Sequence, residues 1–270
     1  MAQGDLVFDG SMPELYDTYL VPMLFEAYAN DLADRAAALL PKTVLETASG
    51  TGVVTRALAP RLSSDARYVA TDLNQSMLDH AAGMQGSDDR ITWRQADALN
   101  LPFDDASFGV VVCQFGVMFF PDRVAGYAEA RRVLKPDGSL LFNTWGHIVE
   151  NEFADVVAKT VAALFPDDPP RFLDRTPHGY HDVELVREEL RMAGFSQISI
   201  ETLQETSAAP SPRGPALAYC QGTPLRNEIE SRDASLLDYA TDQATDAIAA
   251  RFGDGPVTGK IQGHVVVAAP

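Results

Sequence analysis

Three carboxylates stand at or directly after short apolar runs, where their acceptor oxygens are placed to bind a polar small molecule. They are Glu46, Asp72 and Asp97. A carboxylate can hold both hydroxyls of a ribose or accept from an exocyclic amine. Asp72 lies 20 residues after Gly52, the distance expected for a ribose-binding acid at the tip of a second strand. The spacing favours a ligand that contains a ribose, with helix capping by Asp72 and a simple turn at Asp97 as the alternatives.

A glycine-bearing turn follows the first apolar run, in the stretch Glu46-Thr47-Ala48-Ser49-Gly50-Thr51-Gly52. Gly50 and Gly52 lack a Cβ, so they permit a tight turn and the close approach of a bound molecule. The amides that open the next helix favour negative groups on that molecule. The stretch matches neither the G-x-G-x-x-G pattern of dinucleotide-binding proteins nor a P-loop. Taken alone, it is equally typical of an ordinary turn between a strand and a helix.

These residues need a scaffold that brings strand ends together, and the hydrophobic pattern supplies one. Apolar runs alternate with helical patterns five times, which predicts an α/β fold with a doubly wound parallel sheet. In such a sheet, ligands bind outside the carboxyl ends of the strands. Phe108–Cys113 is apolar nearly throughout, as expected for a central strand buried on both faces. The five strands are predicted to begin at Val44, Ala66, Ile91, Phe108 and Ser139.

The flanking segments are predicted to be mainly helical. Before the first strand, a helix is expected over Pro13–Leu40, ended by Pro41. Beyond Trp145 we expect, in order, a helix over 151–165, a proline-rich loop over 166–181, a helix ending at 194, a strand over 195–202, a linker over 207–215, a helical stretch over 215–252 and a final strand over 263–268. A late strand most simply returns to the sheet. We therefore expect a lid region over 1–40, a core over 41–202 and 259–270, and a helical cap insertion over 203–258.

The composition narrows the classes of partner. A formal charge of -17 argues against nucleic acid, because phosphate binding relies on Lys and Arg. No apolar stretch approaches the length of a membrane span, and no secretory signal is visible. Two cysteines, Cys113 and Cys220, provide neither a metal cluster nor a disulfide framework, and Cys113 should be a buried apolar residue. We expect a cytoplasmic monomer or homodimer that acts on a small molecule, without a metal.

Several motifs together resemble the class I methyltransferases that use S-adenosylmethionine. They are Glu46-x-Ala48-x-Gly50-x-Gly52, Asp72, Asp97-Ala98 and Leu134-Lys135-Pro136-Asp137-Gly138-Ser139. The stretch Cys113-Gln114-Phe115-Gly116-Val117-Met118-Phe119-Phe120-Pro121-Asp122 is similar to the branch that includes the ubiquinone and menaquinone biosynthesis methyltransferases. The resemblance covers about residues 40–147. One position departs from the family pattern, because Ala48 stands where the family has its first glycine.

The resemblance implies a Rossmann-like, doubly wound sheet of seven strands whose last strand is antiparallel. It also implies S-adenosylmethionine as the cofactor and roles for individual positions. Glu46 would organise the turn and reach the amino-acid end, Asp72 would hold the ribose, and Gln114 with Phe115 would lie beneath the sulfonium. The implied cofactor-binding residues are Glu46, Thr47, Ala48, Gly50, Gly52, Asp72, Leu73, Met77, Ala96, Asp97, Ala98, Gln114 and Phe115. To these we add Tyr16 and Tyr19, which lie where the helix before the first strand could form a lid over a cofactor. Tyr16 and Tyr19, as parts of a lid, have core packing as an equally good interpretation.

The expected reaction is methyl transfer to a small, partly hydrophobic acceptor. A general base is needed only if the acceptor must lose a proton, and His147, His178 and His181 are the candidates. Each histidine is also consistent with an ordinary loop position. Two other functions stay open at this point, an NAD-dependent oxidoreductase and a module that binds S-adenosylmethionine without turnover.

Overall fold

The computed structural model describes residues 12–270, so the first eleven residues of the predicted lid region 1–40 lie outside it. Its seven strands form one sheet in the order β3-β2-β1-β4-β5-β7-β6. The pairs β3-β2, β2-β1, β1-β4 and β4-β5 are parallel, and the last strand is antiparallel, which confirms the predicted fold class. The strands are β1 Thr43–Glu46, β2 Arg67–Asp72, β3 Ile91–Gln95, β4 Phe108–Gln114, β5 Leu134–Trp145, β6 Gln197–Ala209 and β7 Val257–Ala269.

Helices connect these strands. They are α1 Met12–Leu15, α2 Glu26–Ala38, α3 Val53–Leu58, α4 Gln75–Gln85, α5 Arg123–Val133, α6 Glu152–Leu164, α7 Phe172–Arg175, α8 Val183–Met192, α9 Arg213–Gln221, α10 Leu225–Asp233 and α11 Leu237–Phe252. Asp122 accepts a hydrogen bond from the Ala125 amide, and Asp182 accepts from the Glu184 and Leu185 amides, so each carboxylate caps the first turn of its helix, α5 or α8. No helix within residues 12–270 is both long and apolar enough to span a membrane.

Several local predictions were wrong, and three of them concern strand and helix boundaries. β5 begins at Leu134 rather than Ser139, and its pairing with β4 shifts register between Phe108 and Val110. The expected linker over 207–215 is instead the end of β6 and the start of α9, with Ser207 fully buried. The helix predicted over Pro13–Leu40 ends early, because α2 ends at Ala38 and Leu40 is 82% exposed.

A π-helix over Tyr16–Phe25 lies between α1 and α2. The Glu26 amide donates to the Val21 carbonyl, five residues back, and Pro22 lies inside the segment. Proline has no N–H and its ring displaces the carbonyl four residues back, so it disfavours a regular α-helix here. The wider turn is a local consequence of the sequence that apolar periodicity does not reveal.

The chain forms two compact units. One unit contains residues 27–144, 182–202 and 264–270, and its core is the apolar interior of β1, β2, β4 and β5 with buried residues of α2 and α5. The other contains residues 1–26, 145–181 and 203–263, and in its described part α6, α9 and α11 pack together. The domain boundaries expected from the sequence stay a prediction.

Candidate active site

Polar side chains lie at the carboxyl ends of four neighbouring strands, β2, β1, β4 and β5. Glu46 in β1 is paired with Ala70 in β2, which is two residues before Asp72. On its other side it is paired with Val112 in β4, which is two residues before Gln114. Gln114 is itself paired with Asn143 in β5. Residues paired across parallel strands, and residues two apart on one strand, share a face. Asp72, Gln114 and Asn143 therefore face the same side, one step beyond Glu46.

Glu46 is the centre of a buried hydrogen-bond network. Its Oε2 accepts from Thr55 Oγ1 at 2.5 Å and from Tyr68 Oη at 2.6 Å. The side chain is 1% exposed, and this burial raises the pKa of Glu46 to about 7 even though both hydrogen bonds favour the charged form. Through Thr55, the carboxylate holds α3 against β1. Its expected role in organising the turn therefore has a direct structural basis, while a contact with the cofactor stays a prediction.

Asp72 ties the glycine turn to the end of β2. Its Oδ2 accepts from the Gly50 amide at 2.8 Å, and its Oδ1 accepts from the Asn74 amide at 2.8 Å. Burial raises the pKa of Asp72, and the two amides oppose that rise. Each carboxylate oxygen has a second lone pair beyond the bond it accepts here. Asp72 therefore orders the start of α4 and keeps acceptor capacity for a ribose.

The two glycines of the turn differ in what surrounds them. Both have positive φ, +54° at Gly50 and +79° at Gly52, a region that L side chains rarely adopt. A Cβ at Gly52 would lie 3.0 Å from the Ala81 Cβ and 3.2 Å from the Trp93 ring. A Cβ at Gly50 would meet no atom of the described residues within 4 Å. Gly52 is thus needed for helix packing, whereas Gly50 borders open space.

Two residues other than glycine also adopt the left-handed conformation at this edge. Ala48 has φ +50° and Phe115 has φ +49°. Such strain is most common at functional sites, where packing holds it in place. Phe115 is buried and its ring packs edge-on against Tyr28 at 5.2 Å. The left-handed backbone at Ala48 explains why a glycine would suit this position.

The ends of β2 and β3 are joined beside Asp97. The Ala96 amide donates to the Asp72 carbonyl at 3.0 Å, and Asp97 Oδ1 accepts from the Leu99 amide at 2.9 Å. Asp97 is exposed and Ala98 is half-buried. On the β2 side, Leu73 is 49% exposed and Met77 is buried. Asp97 thus forms the turn that was the alternative interpretation, and its outward position leaves the adenine role a prediction.

Several buried polar atoms at this edge have no hydrogen-bond partner among residues 12–270. They are the hydroxyls of Ser49 and Thr51 in the turn, and the Asn143 amide and the Thr144 hydroxyl near the end of β5. The sequence analysis did not single out these residues. Their positions at strand ends were the available signal, since buried polar groups normally have partners. Thr47, the remaining predicted residue of the turn, is buried and its amide donates to the Val112 carbonyl.

The three candidate histidines lie together in the unit that contains residues 145–181. His178 is buried and its Nδ1 lies 2.9 Å from the Gly146 carbonyl, while His181 Nδ1 lies 2.8 Å from the His178 carbonyl. A carbonyl only accepts, so both Nδ1 atoms carry the proton and both Nε2 atoms have a lone pair. His147 Nδ1 accepts from the Val149 amide, and its ring packs edge-on against His181 at 4.6 Å. Burial lowers the pKa of His178 to about 4.

The two tyrosines of the expected lid lie in the π-helix. The Tyr16 ring stacks on Phe25 with centroids 5.0 Å apart, and both tyrosines are half-buried. Tyr16 therefore has a packing role. Any contact of either hydroxyl with the cofactor stays a prediction.

Comparison with known proteins assigns this sheet order and its polar carboxyl edge to a class of α/β protein, the methyltransferases that use S-adenosylmethionine. A family model described as a methyltransferase domain matches residues 45–142. The demethylmenaquinone methyltransferase of Clavibacter sepedonicus is 32% identical over 169 residues, which cover 59% of this chain and 68% of the relative. The ubiquinone/menaquinone biosynthesis C-methyltransferase of Shewanella frigidimarina is 29% identical over 63% of this chain and 72% of its own length.

The chain belongs to the class I S-adenosylmethionine-dependent methyltransferases, in the branch of the ubiquinone and menaquinone biosynthesis enzymes. It is an enzyme, and its cofactor is S-adenosylmethionine. Among solved structures, the phosphoethanolamine N-methyltransferase 2 of Haemonchus contortus, in complex with S-adenosylhomocysteine, shares the fold. The TM-score is 0.53 at 17% identity, covering 97% of this chain and 61% of that one. Membership in this family excludes the NAD-dependent oxidoreductase.

Because Gly50 borders open space and Gly52 does not, we predict that Gly50→Ala will weaken cofactor binding while the protein stays folded. The added methyl meets no atom of residues 12–270 within 4 Å, so we expect a stability loss of about 1 kcal/mol from the left-handed backbone. The dissociation constant for S-adenosylhomocysteine, measured by calorimetry, should rise at least about tenfold.

Gly86→Ala is the matched control for this prediction. Gly86 also has open space around it, and its φ of 72° with ψ of -165° is nearly restricted to glycine. The control should lose at least as much stability and keep its affinity. Equal affinity in both variants would show that the ligand does not approach Gly50.

The raised pKa of Glu46 predicts that the free energy of unfolding depends on pH. Its pKa rises from 4.5 to about 7 on folding, so the unfolded chain releases the proton at lower pH than the folded protein. The wild type should lose stability relative to Glu46→Gln as pH rises from 4.5 to 7, by up to about 3 kcal/mol. Urea unfolding of both proteins across this range measures the difference.

Tyr68→Phe extends the same test. It removes a donor that favours the charged carboxylate, so the loss of stability should continue to higher pH. A difference between wild type and Glu46→Gln that does not change with pH would contradict the assignment.

Proposed function

We propose that this enzyme transfers the methyl group of S-adenosylmethionine to a small, partly hydrophobic acceptor by in-line displacement. The carrying observation is the combination of Asp72 with open space at Gly50 on one edge of the sheet. Asp72 supplies acceptor oxygens for a ribose, and Gly50 leaves room beside them. The branch contains enzymes whose names refer to quinones, which supports a partly hydrophobic acceptor.

The residues at this edge fit the S-adenosyl group. Asp72 would hold the ribose hydroxyls, and Leu73 with Met77 and the Ala96-Asp97-Ala98 segment would surround the adenine. The turn from Thr47 to Gly52 would line the methionine, with Glu46 fixing the turn from below. Gln114 and Phe115 would lie beneath the sulfonium. Within the described part of the chain the hydroxyls of Ser49 and Thr51 have no hydrogen-bond partner, which is consistent with a polar ligand at the turn.

The chemistry assigns few tasks to the protein. When bound, the cofactor supplies a methyl group on a positively charged sulfur, ready for attack by an acceptor lone pair. The side chains must orient the two reactants and exclude water, and such positioning contributes up to roughly 7–11 kcal/mol in favourable systems. The strained backbone at Phe115 places an aromatic ring rigidly, as orientation requires.

Where the acceptor must lose a proton, we propose His181 as the general base. The His178 carbonyl holds its Nδ1–H, so its Nε2 lone pair is available. Burial lowers the pKa of His178 to about 4, which makes His178 a weak base. His147 uses its Nδ1 lone pair to accept from Val149, which leaves a proton on Nε2. His178 would then be a positioning residue for His181.

A panel of acceptors tests the proposed reaction. We expect S-adenosylhomocysteine to form when the enzyme meets a quinol or phenol bearing an apolar chain, with slower turnover of small polar amines. Mass spectrometry of the acceptor identifies the methylated atom. Tight cofactor binding with no product from quinols, phenols, amines or fatty-acid-like acceptors would favour a module without turnover.

Substitution of the histidines separates their roles. With an acceptor that loses a proton, His181→Gln should lower kcat by about 10²- to 10⁴-fold, the usual contribution of a general base. His147→Gln is the control and should change kcat much less. Affinity for S-adenosylhomocysteine should stay constant in both variants. An unchanged kcat in His181→Gln, or equal losses in both, would remove His181 from the reaction.

A further inference from the structure

The connection between β3 and β4, residues 96–107, carries Asp97 near its beginning. It starts with a tight turn, in which the Asn100 amide donates to the Asp97 carbonyl at 3.0 Å and Asp97 Oδ1 accepts from the Leu99 amide. Asp97 is exposed, so a ligand can reach its carboxylate, which keeps acceptor capacity beyond that one bond. Leu101 directly follows the turn. The position of Leu101 therefore helps to set where the Asp97 carboxylate lies.

Arg132 on α5 binds this connection through its whole guanidinium group. Nη2 donates to the Leu101 carbonyl at 2.9 Å, and Nη1 donates to the Phe103 carbonyl and to Asp105 Oδ1, both at 2.8 Å. Nε and Nη2 also donate to the two carboxylate oxygens of Glu129, at 2.8 and 2.9 Å. These bonds use every N–H donor that a guanidinium has. A lysine, with a single flexible ammonium, could not make the same set.

Glu129 completes the contact from the same helix. Its Oε2 accepts from the Leu101 amide at 2.8 Å, so Glu129 and Arg132 together bind both polar backbone groups of Leu101. The hydrogen bonds from Arg132 lower the pKa of Glu129, which keeps the pair charged at neutral pH. Both side chains are half-buried, and hydrogen bonds between charged partners are the stronger kind. The pair thus holds Leu101 firmly.

This degree of anchoring is more than a surface connection requires. Connections between strands and helices commonly tolerate motion, and they carry functional residues when a rigid element positions them. An acceptor that is already ordered does not lose conformational freedom when a ligand binds, so its hydrogen bond contributes more to affinity. The exposed Asp97 carboxylate is the group on this connection that gains from such ordering.

We propose that Glu129 and Arg132 are positioning residues for Asp97 and give the enzyme its selectivity for a base with an exocyclic amine. The Asp97 carboxylate accepts from that amine, and the pair keeps the carboxylate within reach of it through Leu101 and the turn. The inference rests on the adenine role of Asp97 in the proposed function. It adds a cofactor-selecting role for two residues of α5 that do not touch the cofactor.

The experiment compares S-adenosylhomocysteine with its 6-deamino analogue, in which hydrogen replaces the exocyclic amine. Calorimetry with the full chain measures both dissociation constants. For the wild type, the analogue should bind at least about tenfold more weakly, because it lacks a hydrogen bond to a charged acceptor. In Arg132→Lys, which keeps the charge and loses the planar fork, this ratio should fall to about twofold or less. A merely structural role would weaken both ligands alike and leave the ratio unchanged.

Arg131→Lys is the matched control. Arg131 is the neighbour of Arg132 in α5, and its Nε donates to the Gly194 carbonyl at 2.9 Å, outside the connection between β3 and β4. This variant should keep the wild-type ratio. If Arg132→Lys does not fold, Glu129→Gln serves for the same comparison, because it removes the charged partner of the guanidinium and should also lower the ratio.

Asp97→Ala separates the inference from the proposed function. The inference expects the ratio to fall in both Asp97→Ala and Arg132→Lys. A ratio that falls in Asp97→Ala and stays high in Arg132→Lys would overturn the inference alone, and the reverse pattern would overturn it by removing Asp97 as the group that is positioned. A wild type with equal affinity for both ligands would overturn the adenine role of Asp97 together with the inference. A wild type that binds neither ligand would overturn the proposed cofactor site itself.

Discussion

The hydrogen bond from the Gly50 amide to the Asp72 carboxylate is the contact on which this edge of the sheet depends. It fixes the turn after β1 to the end of β2, and the same carboxylate orders the approach to α4 through Asn74. One side chain thus sets the geometry of a strand end, a turn and a helix start. A Cβ built at Gly50 would meet no atom of the described residues within 4 Å, so the turn leaves open space while this hydrogen bond holds it.

Buried charge is the second constraint. Glu46 lies below the turn and is held by Thr55 and Tyr68, so its carboxylate contributes to structure whether or not it meets a ligand. Burial makes this group sensitive to pH near neutrality. The strained backbone at Phe115 costs about 1–2 kcal/mol, which the contact of its ring with Tyr28 helps to offset. The hydrogen bonds to Glu46 and the ring contact of Phe115 therefore hold the site in its geometry, as supporting contacts commonly do at functional sites.

Much of the fold could be predicted from the sequence, because the apolar runs of β1 to β4 are separated by clear helical patterns. The start of β5 could not, since Lys135-Pro136-Asp137-Gly138 has the composition of a turn and only the pairing with β4 identifies it as strand. Asp72 was recognisable from its distance to the turn. The partners of Glu46 were not, because Thr55 and Tyr68 meet it only in the folded chain. Asn143 gave no signal, since an isolated Asn near a strand end is normally interpreted as a turn residue.

The close approach of Ala48 and Gly116 has a consequence for how this turn can evolve. A Cβ at Gly116 would lie 2.5 Å from the Ala48 Cβ and 2.8 Å from the Cys113 sulfur. The two backbone positions cannot both bear methyl groups. A side chain at 116 therefore requires a glycine at 48 and a displaced or smaller side chain at 113. The alanine at 48 therefore restricts the order in which substitutions can accumulate, and homologous chains should show these positions changing together.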